Sequence, residues 1–167
     1  MKHLTLLRHA KSSWKDLSLP DADRPLNKRG KRNAPEMGVR FSQQYPEADI
    51  HLVSSPAKRA ITTARLFAEA AGYPVDTIEV DDHIYQADAS ALLEIVRGLD
   101  DSWDHVVLVG HNPGFTDFIN SATKHFIENL PTAGVAALQY HEDSWLDVGT
   151  TQATLAELGF PKKKRQR

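Results

Sequence analysis

The chain has 167 residues, of which 41% are hydrophobic and 25% charged, and its 20 basic and 22 acidic residues leave a formal net charge of -2. This length suits one ordinary domain that buries a hydrophobic core of its own. The near balance of charge argues against nucleic acid or a membrane surface as a partner of the whole chain. Because the sequence has no cysteine, disulfides, thiolate nucleophiles and zinc ribbons are excluded.

The first half of the chain predicts two strands, each followed by a helix. Residues 3–8, HLTLLR, form a short apolar run typical of a buried strand, and the polar loop after them leads into a helix over about 27–44. Residues 49–55 predict the second strand. The next helix is expected to be capped by Ser55 and to stop at Gly72, with apolar residues at helical spacing between them.

The second half predicts strands over 75–80 and 105–110, helices over 89–99 and within 111–123, and a hairpin over 134–151 with Glu142 and Asp143 in its turn. Strands that alternate with helices predict an α/β fold. We expect a single-domain three-layer sandwich over residues 1–160, with a mostly parallel central sheet and helices on both faces.

The two ends of the chain are polar. MKHLTLLRHA is too short and too polar for a signal peptide or a membrane span, so the cytoplasm is the expected location. Residues 161–167, PKKKRQR, cannot bury apolar surface and predict a basic disordered tail. A nuclear-localisation or anion-binding role of this tail is the alternative.

Three predicted strands end in polar residues that can act together. The first strand ends in Arg8 with His9 directly after it, Ser54 and Ser55 end the second, and His111 follows the strand over 105–110. Ligands of such sheets bind beyond the carboxyl ends of the strands. We therefore expect these side chains to meet in one crevice.

The residue types in this crevice suit phosphoryl transfer. A guanidinium such as that of Arg8 binds phosphate oxygens, and a neutral imidazole such as that of His9 attacks phosphorus if its other nitrogen donates a hydrogen bond to a nearby carbonyl. Arg59, in the first turn of a helix, can direct its charge onto an anion held there. His111, beyond Gly110, can donate a hydrogen bond to a transferring oxygen.

The order and spacing of these motifs resemble the histidine phosphatase superfamily, which is phosphoglycerate-mutase-like. The similar motifs are LLRHA, DRPLNKRG, SSPAKRAITTA and VGHNPG, spread over roughly residues 3–140. Within the superfamily, the short length and the RHAKSSW start resemble the small SixA-type phosphohistidine phosphatases.

The resemblance implies a role for six residues. His9 matches the histidine that is phosphorylated during turnover, and Arg8, Arg59 and His111 match the catalytic phosphate pocket around it. Arg24 matches a substrate-binding basic residue at the edge of the pocket, and Ser12 can add a hydroxyl contact. No metal and no cofactor are implied, and a phosphate or sulfate ion is expected in the pocket.

One departure from the family concerns the acid that protonates the leaving group. Gln86 lies where many members carry a glutamate, and Asp82 and Asp88 are near it in sequence. A positioned acid contributes about 10²- to 10⁴-fold to the departure of an alkoxide. The nitrogen of a phosphohistidine can instead take its proton from solvent, so this departure favours phosphohistidine as substrate.

The expected activity is a metal-independent phosphatase that forms a phosphohistidine intermediate on His9. The expected partner is a phosphohistidine-bearing signalling or transport protein, because the loop after His9 offers little lid. The alternatives are a phosphomonoesterase for a small phosphorylated metabolite, a non-catalytic phosphate-binding module, and a metal hydrolase using His3, His9, His105 and His111. Trp14 is expected to anchor its loop, partly buried, or to form a wall of the pocket, and the chain is expected to be a monomer.

Overall fold

Six strands form one sheet in the computed structural model, which describes residues 1–162. They are β1 (Lys2–Arg8), β2 (His51–Ser54), β3 (Glu79–Val80), β4 (His105–Gly110), β5 (Val135–Tyr140) and β6 (Thr154–Gly159). Their order across the sheet is β3-β2-β4-β1-β5-β6. The first four strands in this order, β3, β2, β4 and β1, are parallel to one another, and β5 runs antiparallel to both β1 and β6. The mostly parallel sheet is thus confirmed.

The central strands are apolar because both of their faces are covered. Leu4 and Leu6 of β1 belong to one buried cluster together with Leu108 of β4. Leu7 and Val109 belong to a second cluster on the opposite face. Successive side chains of a strand point to opposite faces of a sheet, so two packed layers need such continuous apolar runs.

Four helices supply these two layers. They are α1 (Lys28–Gln44), α2 (Lys58–Ala71), α3 (Ala89–Arg97) and α4 (Gly114–Thr123). Side chains of α1 and α2 pack in the cluster that contains Leu7, and those of α3 and α4 pack in the cluster that contains Leu4. Helices therefore lie on both faces of the sheet, as predicted. A Cβ at Gly38 would overlap the backbone carbonyl of Phe67, so α1 and α2 approach closely.

The helix ends follow the sequence with one exception. Asn27 caps α1, since its Oδ1 accepts a hydrogen bond from the N–H of Gly30 at 2.9 Å. Gly72 ends α2 in the left-handed conformation at φ 83°. The predicted cap at Ser55 is wrong, because Ala57 still has an extended ψ of 136° and the helix begins only at Lys58.

Two predicted strands differ from the structure. Only Glu79–Val80 of the strand expected over 75–80 pairs with β2, because Val75–Thr77 forms a 3-10 turn. The first arm of the hairpin predicted over 134–151 is confirmed as β5. The strand that pairs with β5 is β6, which begins only at Thr154, after the predicted second arm. The stretch expected there contains Trp145, which is fully buried and donates its indole N–H to the carbonyl of Trp103 at 2.7 Å, so the chain turns inward before β6.

None of the helices within residues 1–162 is long and apolar enough to cross a bilayer. Of the predicted basic tail, Lys162 donates its backbone N–H to a carboxylate oxygen of Glu36 at 3.0 Å. Residues 163–167, and with them most of the predicted disordered tail, lie outside the described residues.

Candidate active site

The carboxyl ends of three neighbouring strands meet at one edge of the sheet. Arg8 is the last residue of β1 and pairs in register with Gly110, the last residue of β4. Ser54 is the last residue of β2 and pairs with Val109 of β4. His9, Ser55 and His111 follow these ends, so the structure brings together the side chains that the sequence placed in one crevice.

His9 is buried and held in one orientation. Its Nδ1 lies 2.8 Å from the carbonyl oxygen of Ala10, and because a carbonyl only accepts, Nδ1 carries the proton and donates it. Burial lowers the pKa of His9 to about 4, and the charges of Arg59 and Arg8 act in the same direction. The imidazole is therefore neutral at pH 7, with the lone pair on Nε2.

His111 lies beside His9, and their ring centroids are 5.2 Å apart. Its Nε2 lies 2.7 Å from the hydroxyl oxygen of Ser55. Its Nδ1 is buried and has no hydrogen-bond partner among residues 1–162. Burial lowers the pKa of His111 to about 3, helped by His9 and Arg59. This leaves one ring nitrogen of a neutral histidine available in the site.

Arg59 reaches the site from the first turn of α2 and is held by the loop that follows β1. It donates to the carbonyl oxygen of Asp21 at 2.7 Å and to the carboxylate of Asp21 at 2.9 Å. The same carboxylate accepts from the hydroxyl of Tyr85 at 2.5 Å and from Arg24 at 3.1 Å. The bond from Tyr85, with those from Arg59 and Arg24, lowers the pKa of Asp21 to about 2, so this carboxyl is ionised.

Asp21 and Tyr85 were not predicted as site residues. Both lie in irregular segments far apart in sequence, and only the tertiary structure brings them together. The ring of Tyr85 also lies 5.5 Å from the ring of His111. The DRPL motif was a signal for the neighbourhood of Asp21, but it gave no reason to choose the aspartate three residues before Arg24.

Arg8 is held by the segment between α4 and β5. It donates to the carbonyl oxygen of Leu130 at 2.9 Å, and Asn112 donates to the same oxygen at 2.9 Å. The Nε atom of Arg8 is buried and has no partner among the described residues. Part of this guanidinium is thus fixed by the protein while part of it is free to bind an anion.

Arg24 and Ser12 lie together at the edge of the site. The hydroxyl oxygen of Ser12 accepts from Arg24 at 2.5 Å, and the guanidinium carbon of Arg24 lies 3.3 Å from the ring centroid of Trp14. Both Arg24 and Ser12 are buried, but 64% of Trp14 is exposed. The expectation that Trp14 is a partly buried anchor is therefore wrong, because it covers Arg24 from the solvent side.

The three candidates for a leaving-group acid are exposed at the turn before α3. Gln86 has a left-handed φ of 62°. Asp88 caps α3, since its carboxylate accepts from the N–H of Ala91 at 2.8 Å. Asp82 starts a 3-10 turn with its side chain in solvent. None of these side chains forms a hydrogen bond with a site residue in the described part of the chain.

The four histidines of the metal-hydrolase alternative do not converge. His3 pairs in register with His105 at the start of β1 and β4, and their rings stack at 5.2 Å. Five residues of strand, or about 17 Å, separate this pair from the strand ends that carry His9 and His111. The alternative that uses all four as one ligand set is therefore wrong.

Comparison with known proteins matches residues 4–83 to the family model of the histidine phosphatase superfamily, branch 1. An uncharacterized chloroplastic protein of Arabidopsis thaliana is 28% identical over 151 residues, which cover 86% of this chain and 69% of that protein. An uncharacterized protein of Mycobacterium tuberculosis is 26% identical over 166 residues, which cover 93% of this chain and 100% of that protein. The family match includes Arg8, His9, Arg24 and Arg59.

Solved structures share the whole fold. A candidate phosphohistidine phosphatase SixA of Agrobacterium tumefaciens superposes with a TM-score of 0.79 at 24% identity, covering 96% of this chain and 99% of that one. A protein histidine phosphatase SixA in complex with tungstate gives 0.78 at 17% identity, covering 93% and 95%. A mycobacterial glucosyl-3-phosphoglycerate phosphatase gives 0.68 at 16% identity, covering 94% and 98%.

Proposed function

We propose that this chain is a phosphatase of the histidine phosphatase superfamily, whose branch 1 family model matches residues 4–83. We propose further that it acts through a phosphohistidine intermediate on His9 and releases phosphate from phosphohistidine in a protein. The observation that carries the proposal is the state of His9. The imidazole is neutral, its Nδ1 proton is given to Ala10, and its Nε2 has no protein partner among the described residues. A neutral nitrogen beside several guanidinium groups is a nucleophile for a bound phosphoryl group.

The surrounding cations would hold the phosphoryl group. Arg8 and Arg59 each have N–H groups beyond those that bond the protein. Two guanidinium groups balance the roughly two negative charges of a phosphate, and they face the charge that spreads over its equatorial oxygens in the transition state. This arrangement requires no metal ion.

His111 would donate a further hydrogen bond to the phosphoryl group. The hydroxyl of Ser55 accepts from the N–H of Ala57 at 3.2 Å and can give its own proton to Nε2 of His111. The single proton of the neutral ring then lies on Nδ1, which has no partner among residues 1–162. A preorganised donor of this kind stabilises a transferring oxygen most strongly in the transition state.

The reaction has two displacement steps. Nε2 of His9 forms a bond to phosphorus while the bond from phosphorus to the substrate nitrogen breaks, and that nitrogen keeps the electron pair and takes a proton from solvent. Water then attacks the phosphorus of phospho-His9. The hydroxyl stays on phosphorus and the other proton of the water goes to solvent, while the P–N bond breaks with its electron pair on Nε2, so that neutral His9 and inorganic phosphate are regenerated.

The candidates for a leaving-group acid favour a substrate in which the phosphoryl group is bonded to nitrogen. Asp21 is the carboxyl next to Arg59, but its pKa of about 2 and its three partners keep it ionised, so it cannot supply a proton at neutral pH. Gln86 carries no acidic proton, and Asp88 is engaged as a helix cap. Since an alkoxide needs a positioned acid far more than a phosphohistidine nitrogen does, phosphoramidates are the better substrates.

A small phosphorylated metabolite is the second candidate substrate. Its support is the similar fold of the glucosyl-3-phosphoglycerate phosphatase, whose substrate is a small phosphate ester. The SixA-type structures superpose with higher TM-scores, 0.79 and 0.78 against 0.68. A non-catalytic phosphate-binding module would need the arginines alone, so a nucleophile held ready at His9 argues against that alternative.

The test is phosphate release from a phosphohistidine peptide and from an alkyl phosphomonoester, with EDTA present. We expect rapid release from the peptide and at least about 10²-fold slower release from the ester. Quenching the wild-type reaction at alkaline pH should trap a labelled phosphohistidine at His9. Faster turnover of the ester would favour the metabolite, and turnover without any labelled protein would reject the intermediate.

A further inference from the structure

We propose that a basic surface beside the site docks an acidic face of the protein that carries the phosphorylated side chain. This inference rests on the proposed function and adds the class of partner. We call this surface the basic rim. Its exposed members are Lys11, Lys15, Lys28, Arg29, Lys31, Arg32 and Lys58.

The backbone places the basic rim at the site. Lys11 lies two residues after His9, and its carbonyl oxygen accepts from the N–H of Asn27, the cap of α1, at 3.0 Å. A Cβ at Gly30 would overlap that carbonyl oxygen, so the first turn of α1 touches the loop after the nucleophile. Because a helix rises about 1.5 Å per residue, the cations at 28–32 all lie within about 6 Å of each other along the helix axis.

The charge of the basic rim is not neutralised by the protein. None of its members forms an ion pair with a residue in the range 1–162, whereas Lys2, Arg40 and Arg97 each pair with a carboxylate. Asp16 and Asp23, in the loop before α1, offset part of the charge. Since the whole chain has a net charge of -2, positive charge is concentrated here and the remaining surface is net acidic.

The position of these cations costs stability. The first turn of α1 contains no acidic residue, and the cations in that turn oppose the helix dipole. A cluster of this kind gains no compensating bond within the described residues. Attraction of an oppositely charged partner is a role that fits it, since complementary charge speeds encounter and selects the partner.

Two exposed apolar side chains favour a protein over nucleic acid or a membrane. Trp14 is 64% exposed and Leu17 is 84% exposed, and both lie in the loop that carries Lys11 and Lys15. One side of the Trp14 ring already lies against Arg24. Large exposed apolar groups in a loop that also carries cations match a protein interface, in which a few desolvated anchors lie within a charged border.

The test compares two synthetic peptides of equal length, each with one phosphohistidine, flanked by glutamate in one peptide and by serine in the other. Free phosphoramidate is the third substrate. For the wild-type chain at low salt we expect kcat/KM to be about tenfold or more higher for the glutamate peptide. This preference should disappear at about 0.5 M salt, because the Debye length there falls below 5 Å.

Two variants with equal changes of net charge separate the basic rim from charge in general. Arg29→Glu with Arg32→Glu alters the rim, and Arg65→Glu with Lys162→Glu alters exposed residues outside it. We expect the first variant to lose the peptide preference and the second to keep it, with phosphoramidate turnover unchanged in both. The milder variant Lys28→Gln with Lys31→Gln should lose part of the preference if charge reversal disturbs folding.

Equal preferences in the two charge-reversed variants would overturn the docking proposal. Stronger inhibition by a DNA duplex or by anionic vesicles than by the unphosphorylated glutamate peptide would also overturn it, in favour of nucleic acid or a membrane. Failure of the wild-type chain to hydrolyse any of the three substrates would instead reject the proposed function.

Discussion

The strand pair β1–β4 carries two histidine pairs, one at each end, and in both the ring centroids are 5.2 Å apart. At the site end, His9 and His111 have pKa values lowered to about 4 and about 3. At the opposite end, burial lowers the pKa of His105 to about 4 and also lowers that of His3. A buried, neutral histidine pair is therefore not by itself a sign of catalysis.

The neighbours of the two pairs make the difference. The ring of His105 contacts the aromatic rings of Phe41 and Tyr45, and its Nε2 lies 3.3 Å from the hydroxyl of Thr5. Around His9 and His111 there are guanidinium groups as well as the ring of Tyr85, and one nitrogen of each histidine has no partner within residues 1–162. The neighbouring cations therefore distinguish the pair in the candidate site from the pair at the opposite end.

The largest expected difference between the two ends is in turnover. We expect His9→Gln to lower kcat on phosphoramidate by at least about 10³-fold, because the nucleophile is removed. His105→Gln is the matched control and should stay within about threefold of the wild type. Steady-state phosphate release measures both. A comparable loss in the two variants would contradict the distinction drawn between the two pairs.

Removal of an arginine should lower the activity only where that arginine belongs to the candidate site around His9 and His111. We expect Arg59→Ala to lower kcat/KM by about 10²-fold, since one charged ligand of the transition state is lost. Arg40→Ala removes a cation of α1 that pairs with Glu36 at 3.7 Å, and it should cost less than about 1 kcal/mol of stability and no activity. An Arg59→Ala enzyme with unchanged kinetics would mean that the guanidinium only holds Asp21.

Both ends should contribute to the pH dependence of stability. The pKa values of His9 and His105 in the folded chain, about 4, lie below the unfolded value of about 6.5. Between these values the unfolded chain binds more protons, so the free energy of unfolding falls as the pH drops from about 6.5 to 4.

Urea unfolding at pH 7 and pH 4.5 measures this loss. We expect His105→Gln to reduce it by on the order of 1–3 kcal/mol while activity is kept. His9→Gln should reduce it similarly while activity is lost. If neither variant changes the loss, carboxyl groups rather than the two histidine pairs cause it.

The smallest expected effects come from the two hydroxyl groups that contact the histidines. Ser55→Ala should lower kcat about five- to tenfold, because His111 loses the bond that places its proton on Nδ1, and Ser55→Thr should restore most of the rate. Thr5→Val should cost at most about 1 kcal/mol of stability and leave kcat unchanged. Equal kinetic effects of Ser55→Ala and Thr5→Val would remove the basis for this contrast.

The sequence predicted the parts of the site that lie at the ends of regular elements. Arg8, His9 and His111 follow apolar runs whose length identifies them as strands, and parallel strands end at the same edge of a sheet. The position of Arg59 was predicted from the helix that begins after β2. The roles of these residues stay predictions, since the structure gives their positions and states but not their chemistry.

The rest depends on contacts between distant segments. Asp21 and Tyr85 meet only because the loop after β1 lies against the turn before α3, where the hydroxyl of Tyr85 is 2.5 Å from a carboxylate oxygen of Asp21. No local sequence pattern encodes this contact. Ser55 has the residue type of a helix cap, yet its hydroxyl is used by His111. The second arm of the hairpin was misplaced because burial of Trp145 outweighs the local preference for a tight turn.

Ala10 has no functional side chain, yet its backbone links His9, the proposed nucleophile, to Arg59, a proposed phosphate ligand. Its carbonyl accepts from His9 at 2.8 Å, its N–H donates to the hydroxyl of Thr63 at 2.9 Å, and that hydroxyl donates to the carbonyl of Arg59 at 2.7 Å. His9 and Arg59 are thus linked by a short chain of hydrogen bonds, so distortions elsewhere in the sheet and helices do not accumulate between them. Sequence drift across most of the domain can therefore leave the distance between these two residues unchanged.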